Sequence, residues 1–343
     1  MIMKKLFIPI LAACAMLSVG SCKQQKSQTG ERETIDTIAL AKTPVFSGDS
    51  AMRWVEAQCD FGPRVTGSQA SQQCGDYLIK EFERLGLTVT EQKAELTRFD
   101  GQRLPMRNII ASLNPDNLDR LLICAHWDSR PWADQDADES KHHTPILGAN
   151  DGASGVAVML ELARAIQQMP ITTGIDFVCF DAEDMGAPEW AENDTVDTSD
   201  TWCLGSAYWA EQAYMNGYGA RFGILLDMVG GKGTYFAKEG VSMYFARPVN
   251  DILWQLAKQL GYGDLFQDRE GGQLIDDHVK VNTIARIPCI DIVPNVTTGI
   301  SFGPTWHTTQ DTPENIDPAV MKAVGQSVLQ MIYNDAAMTA AGE

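Results

Sequence analysis

Gly148-Ala149-Asn150-Asp151-Gly152-Ala153-Ser154-Gly155 opens a run from Val156 to Ile166 with helical apolar spacing. A lone acid therefore stands in a glycine-rich turn just ahead of a helix. Glycines let a backbone bend sharply and approach a ligand closely, and such a bend is a common ligand seat in α/β proteins. Taken alone, an acid in that place is most often a helix cap. Its meaning depends on the elements around it.

Outward from this turn, strand and helix signals alternate. Apolar runs predict strands over 87–94, 107–113, 121–125, 175–180, 222–226 and 288–293. Helical spacing covers 49–59, 68–85, 156–169, 249–261 and 318–333, with Gly86 and Pro170 as stop signals. Such alternation indicates an α/β fold whose sheet is covered on both faces. No internal repeat or low-complexity tract interrupts it.

The amino-terminal stretch has a different character. Lys4 and Lys5 precede an apolar segment from Leu6 to Val19, too short to span a bilayer and suited to a secretory signal. Val19-Gly20-Ser21-Cys22 resembles a bacterial lipobox, so the expectation is a signal peptide over 1–21 and lipidation at Cys22; the alternative is a plain signal peptide with a chance Cys. A polar, aperiodic tether over 22–47 follows, and a catalytic domain over 48–343. The chain is then an exported lipoprotein, held by its lipid on the periplasmic side or cell surface.

A formal charge of -18 argues against nucleic acid, since phosphates repel such a surface. Of eight cysteines, Cys14 and Cys22 belong to the signal region. Cys124 and Cys179 sit in apolar strands as buried thiols; export permits disulfides, and whether Cys59 pairs with Cys74 is left open by the sequence. None has zinc-finger spacing.

Three predicted strands end in polar clusters: His126 with Asp128, Glu183 with Asp184, and Asp227. Ligands of open α/β sheets gather at the carboxyl ends of strands. Asp151 and His307, in Thr305-Trp306-His307-Thr308, are expected to join them. Carboxylates with imidazole are ordinary zinc ligands, and catalytic zinc keeps three protein ligands. Each residue has a duller reading as cap, core histidine or solvated charge, but the ordered set at strand ends favours a metal site. The zincin His-Glu-x-x-His pattern is absent. Gly152-Ala153-Ser154-Gly155 is no nucleophile elbow, and Gly230-Gly231-Lys232-Gly233-Thr234 lacks a phosphate loop's Lys-Ser/Thr junction.

The set His126-x-Asp128, Gly148-Ala149-Asn150-Asp151, Glu183-Asp184, Asp227 and Trp306-His307-Thr308 resembles the zinc aminopeptidase superfamily of peptidase family M28. Within it, the chain looks most like the glutaminyl-peptide cyclotransferases of animals and their bacterial lipoprotein relatives. Asp276-Asp277-His278 and 225–230 carry that likeness. The resemblance spans roughly residues 50–333. It implies a single-domain α/β/α sandwich with a central twisted, mixed and mostly parallel sheet.

The resemblance also implies chemistry: one zinc on Asp151, Asp184 and His307, with Glu183 as the proton-transferring group and Asp227 and Asp276 beside it. Trp306 and Trp190 are the implied substrate-binding tryptophans, Trp190 one residue off in spacing. The chain departs from the animal enzymes in having Glu183-Asp184 where they have two glutamates. The expected function is conversion of N-terminal Gln of peptides and proteins to pyroglutamate, by a monomer. The alternative is a two-zinc aminopeptidase, with His126 and Asp227 holding the second ion; a third reading is a non-catalytic peptide-binding lipoprotein.

Overall fold

Six apolar strands assemble into one sheet in the computed structural model, which describes residues 37–191, 198–295 and 302–342. They are β1 (Thr88–Thr97), β2 (Arg103–Leu113), β3 (Arg120–His126), β4 (Gly174–Phe180), β5 (Gly223–Leu226) and β8 (Cys289–Ile292), in the order β1-β2-β4-β3-β5-β8. β4, β3, β5 and β8 run parallel, whereas β1 and β2 pair antiparallel at one edge. β2 starts earlier than expected, because Pro105 lies where β1 is its registered partner and β4 has not yet joined. Its missing N–H therefore costs no bond to β4.

Period-two alternation sends side chains of the central strands to opposite faces. Leu121, Ile123, Phe177, Ile224 and Ile290 pack into one cluster. Leu122, Cys124, Val178, Leu225 and Cys289 pack into another with Trp209. The first face carries α1 (Gly48–Cys59), α2 (Gln69–Arg84) and α3 (Ala153–Ile166). It also carries α6 (Arg247–Gln259) and α8 (Pro318–Gly342). The second carries α4 (Leu204–Met215), beside α7 (Asp277–Lys280). In α3, Arg164 is the one residue not buried, as expected for a helix wedged between a sheet and the helices α1, α2 and α8. Short α5 (Gly240–Phe245) links β6 (Phe236–Lys238) to α6, and β6 pairs with β7 (Phe266–Glu270) in a small parallel sheet. The α/β sandwich with a mixed, mostly parallel sheet is thus present.

Residues 38–47, expected in the tether, belong to the compact unit Ile38–Glu343. Asn334 and Gln326 accept from the backbone N–H groups of Ala41 and Phe46. The buried Phe46 ring lies on Gly325, where a Cβ would stand 2.2 Å from it. Cys59 and Cys74 are free thiols, both buried, and burial pushes them up to about 11 and about 12. The signal peptide and Cys22 lie outside the described residues.

From β3 the chain places β4 on one side and β5 on the other, so the crevice at the carboxyl ends of β3 and β5 is a topological switch point. The acids identified from the sequence collect there.

Candidate active site

Each functional side chain arrives where a strand or helix ends. His126 closes β3, Glu183 and Asp184 follow β4, Asp227 follows β5, and Asp276 precedes α7. Asp151 stands two residues before α3. Gly152, at φ 102°, makes that turn; a Cβ there would meet the Asp128 carbonyl oxygen at 2.4 Å. Of six non-glycine residues with positive φ among those described, Ala182, Cys203, Met228 and His307 belong to this region. Strained backbone of this kind survives only where the surroundings enforce it, and it clusters at functional sites.

Second carboxylates hold the loops. Asp128 accepts from the N–H groups of Glu183 (3.1 Å) and Asp184 (3.2 Å). Asp311 accepts from those of Asn150 (2.8 Å) and Asp151 (3.0 Å), tying the α3 turn to the His307 loop. Gly230 N–H donates to the Asn150 side chain at 2.9 Å, which locks the β5 exit to the same turn. Fully buried Arg130 clamps Asp134 through two bonds of 2.6 Å and donates to the Asp184 carbonyl at 3.1 Å.

Asp151 is the hinge between two groups of acceptors. His307 Nε2 lies 3.1 Å from Asp184 Oδ1 and 3.5 Å from Asp151 Oδ2, and its Nδ1 is 3.4 Å from Asp134. On the other side, His126 Nε2 lies 3.0 Å from Asp151 Oδ1 and 3.2 Å from Asp227 Oδ1. Asp151, Asp184 and His307 can hold a metal ion, as can His126, Asp151 and Asp227. Asp184 Oδ2 is buried without a hydrogen-bond partner. A buried lone pair left unmet is costly, and a cation at Asp151, Asp184 and His307 would satisfy it. The donor set of two carboxylates and one imidazole fits zinc.

Charge crowding shifts these groups. Burial, then Asp184, pushes Asp151 up to about 7. Burial, then Asp184, also raises Glu183 well above the ordinary range. Burial, followed by Asp227, takes Asp276 up to about 7. For Asp184, burial acts upward, but His307 and Arg130 outweigh it and hold the carboxyl below its usual value. The result is one retained anion beside a neighbour that favours its proton.

A cavity of about 340 Å³ opens over this floor. Asp151, Glu183, Asp184, Asp227 and Asp276 line it below, and Trp202, Trp306, Phe302 and Met228 supply apolar wall. His307 is sandwiched between indoles, Trp306 at 3.9 Å and Trp202 at 5.9 Å between ring centroids. Trp306, the substrate-binding residue that the resemblance implies, lies on the cavity wall. Trp190 does not: it is 46% exposed, packs on Trp132 and His143, and is absent from the cavity wall. Trp202 occupies the wall instead. It was not anticipated, because Thr201-Trp202-Cys203 precedes a helix with no apolar stripe to announce it; a tryptophan in a polar loop was the available signal.

The model of peptidase family M28 matches residues 108–332. Bacteroides thetaiotaomicron glutaminyl cyclase bound to N-acetylhistamine is 50% identical, covering 85% of this chain and 99% of that one, with a TM-score of 0.83. Tannerella forsythia glutaminyl cyclase is 47% identical over 85% and 99%, with a TM-score of 0.81. Aminopeptidase YwaD of Bacillus subtilis is 25% identical over 72% of this chain. The chain spans about half the length of that curated relative, 49%.

Proposed function

The chain belongs to peptidase family M28, and from that premise we propose that it is a zinc-dependent glutaminyl cyclase acting on N-terminal Gln of peptides and proteins. Relatives at 50% and 47% identity with that activity support the reading. The observation that carries it is the placing of Glu183 beside Asp184 on the floor of a residue-sized cavity walled by Trp202 and Trp306.

In the reaction the substrate's own α-amine attacks its γ-carboxamide carbon. A five-membered lactam closes and ammonia leaves, so neither an enzyme nucleophile nor an activated water is needed. Glu183 accepts the proton released from the amine and returns it to the departing nitrogen, work suited to a carboxyl with a raised pKa. Asp276 stands beside it and shares the proton load, and Asp227 lines the same cavity floor. Trp202 and Trp306 exclude water and hold the short aliphatic side chain. Asp151, Asp184 and His307 would hold one zinc ion, which when bound supplies a Lewis acid to the amide oxygen.

The alternative is an aminopeptidase with a second ion at His126, Asp151 and Asp227, favoured by the retention of all three side chains in one cluster. A single ion is preferred because a buried carboxylate oxygen without a hydrogen-bond partner, Asp184 Oδ2, belongs to the first set, whereas no carboxylate oxygen of the second set is left so.

The deciding experiment incubates protein lacking residues 1–22 with a short Gln-initiated peptide, followed by mass spectrometry with and without chelator. Loss of one ammonia, abolished by chelator, is expected. Release of the first residue, with Leu- or Ala-initiated peptides also trimmed, would mean aminopeptidase; metal content of one or two per chain is the parallel readout.

Export belongs to the proposal as well, on the strength of Lys4, Lys5, the apolar 6–19 segment and Cys22. No helix among the described residues is long and apolar enough to cross a membrane. Changing Cys22 to Ala is expected to move a monomeric protein from the membrane fraction to the soluble one.

A further inference from the structure

Cys203 adopts a left-handed conformation, φ 58° and ψ 37°, at the N-cap of α4. Helix N-caps favour Ser, Thr, Asp or Asn, whose oxygen accepts from the first turn. The cysteine makes no such bond. Its fully buried thiol turns away from the helix and donates to Glu183 Oε1 at 3.3 Å.

The backbone enforces this juxtaposition. Cys203 N–H donates to the Glu183 carbonyl at 3.0 Å, and Leu204 N–H to the Ala182 carbonyl at 3.1 Å. Ala182 is itself left-handed at φ 56°. Ser206 Oγ then donates to the Cys203 carbonyl at 3.1 Å. Each side of this two-rung ladder thus carries one strained residue, Ala182 and Cys203, and the side chain the ladder delivers to Glu183 is a thiol. Burial first, with Glu183 second, pushes that thiol well up, so it stays S–H and remains a donor.

We propose that Cys203 is a positioning residue for the cyclase reaction: its S–H fixes one oxygen of Glu183 and so aims the carboxyl at the substrate amine. A carboxyl on a flexible stem samples several rotamers, and catalysis by proton transfer needs it within hydrogen-bond reach of the reacting nitrogen. One bond to a fixed donor removes that freedom. The proposal rests on the role given to Glu183 above.

The test compares Cys203→Ala, Cys203→Gly and Cys203→Ser in the chain from residue 23 onward, with a Gln-initiated peptide. Loss of one positioning hydrogen bond is expected to lower kcat about tenfold in the Ala and Gly variants. KM should stay within about twofold, because the thiol does not touch the cavity. Serine restores a donor and should bring kcat back to within about threefold of the parent. Glycine removes the left-handed strain, so its kcat per folded molecule separates positioning from folding. A purely structural cysteine would leave that quantity unchanged. Parent-like kcat in the Ala and Gly variants, or Ser no better than Ala, overturns the proposal. A parent protein that cyclises no peptide overturns the cyclase reading itself, and this role with it.

Discussion

The two ends of the β3–β4 pair bury the same chemistry and treat it in opposite ways. At the amino-terminal end, Arg120 donates to Asp176 through Nε and Nη2 at 2.7 Å each, and Ser112 and Tyr218 donate to the same carboxylate. Arg120 Nη1 also reaches the carbonyl of Asn117 at 2.6 Å. Both oxygens of Asp176 and the guanidinium are thus engaged. At the carboxyl end, Asp184 Oδ2 has no partner, and Glu183, Asp151 and Asp276 are shifted upward by burial first and then by the neighbouring charges of Asp184, on the first two, and Asp227, on the third. A buried acid whose bonds are all made holds strands together. One left short awaits a cation or a proton, and its neighbours supply stability in its place.

The largest effect should fall on the unsatisfied end. Glu183→Gln removes the proposed proton carrier while keeping shape, and is expected to lower kcat about a thousandfold, within the range for a lost general base. Bound metal and the thermal midpoint should hardly move. Parent-like turnover of this variant would break the comparison at its most important point.

Asp176→Ala reverses the pattern. A buried guanidinium stripped of its partner should destabilise the fold by about 3–5 kcal/mol in denaturant titration. Turnover per folded molecule should stay at the parent value. The pair Arg120→Met with Asp176→Leu should recover part of the loss, because no charge is then left unmet.

Glu239 sharpens the contrast, because it lies close to the site yet follows the satisfied pattern. It accepts from Val241 N–H (2.7 Å), Ser242 N–H (2.6 Å) and His278 Nε2 (3.0 Å). Burial pushes the carboxyl up, but these bonds win and hold it at about 2. A depressed folded value makes its contribution complete above the ordinary glutamate range and lost as pH falls towards 2. The expected size is on the order of 3 kcal/mol. Glu239→Gln should therefore flatten the acid limb of stability between about pH 4.5 and 2. An unchanged limb would remove Glu239 from the satisfied class.

The frame of the molecule was legible because its signals are local. Apolar runs and stop residues mark every strand of the main sheet and five of its helices, and chemistry at strand ends is a property of the fold type. His126, Asp151, Glu183, Asp184, Asp227 and His307 consequently converge as their positions suggest, and Asp276 joins them as the resemblance implies. What escaped depends on contacts distant in sequence. Arg130, Asp134 and Asp311 support the site from loops without periodicity. Cys203 begins α4 with no capping signal, and Phe46 packs on the domain where Gly325 leaves room for its ring.

The two tryptophans after β4 show the limit of spacing as evidence, and they give the smallest predicted effect. Trp190 lies near the expected position in the chain, yet its indole stacks on His142 at 6.0 Å and meets Trp132 edge-on, outside the cavity. Trp202, twelve residues later, lies parallel to the His307 ring, with the Arg130 guanidinium 4.5 Å from its centroid. A flat side chain held between a cation and an imidazole is a rigid wall. Trp202→Ala should therefore raise KM for Gln-initiated peptides about tenfold, by losing apolar contact. Trp190→Ala should leave kcat and KM within about twofold, as expected for a half-exposed residue that meets no reacting group. A reversed ranking would mean that substrate extends from the cavity across the Trp132–Trp190 surface, and the wall would then have to be redrawn to include it.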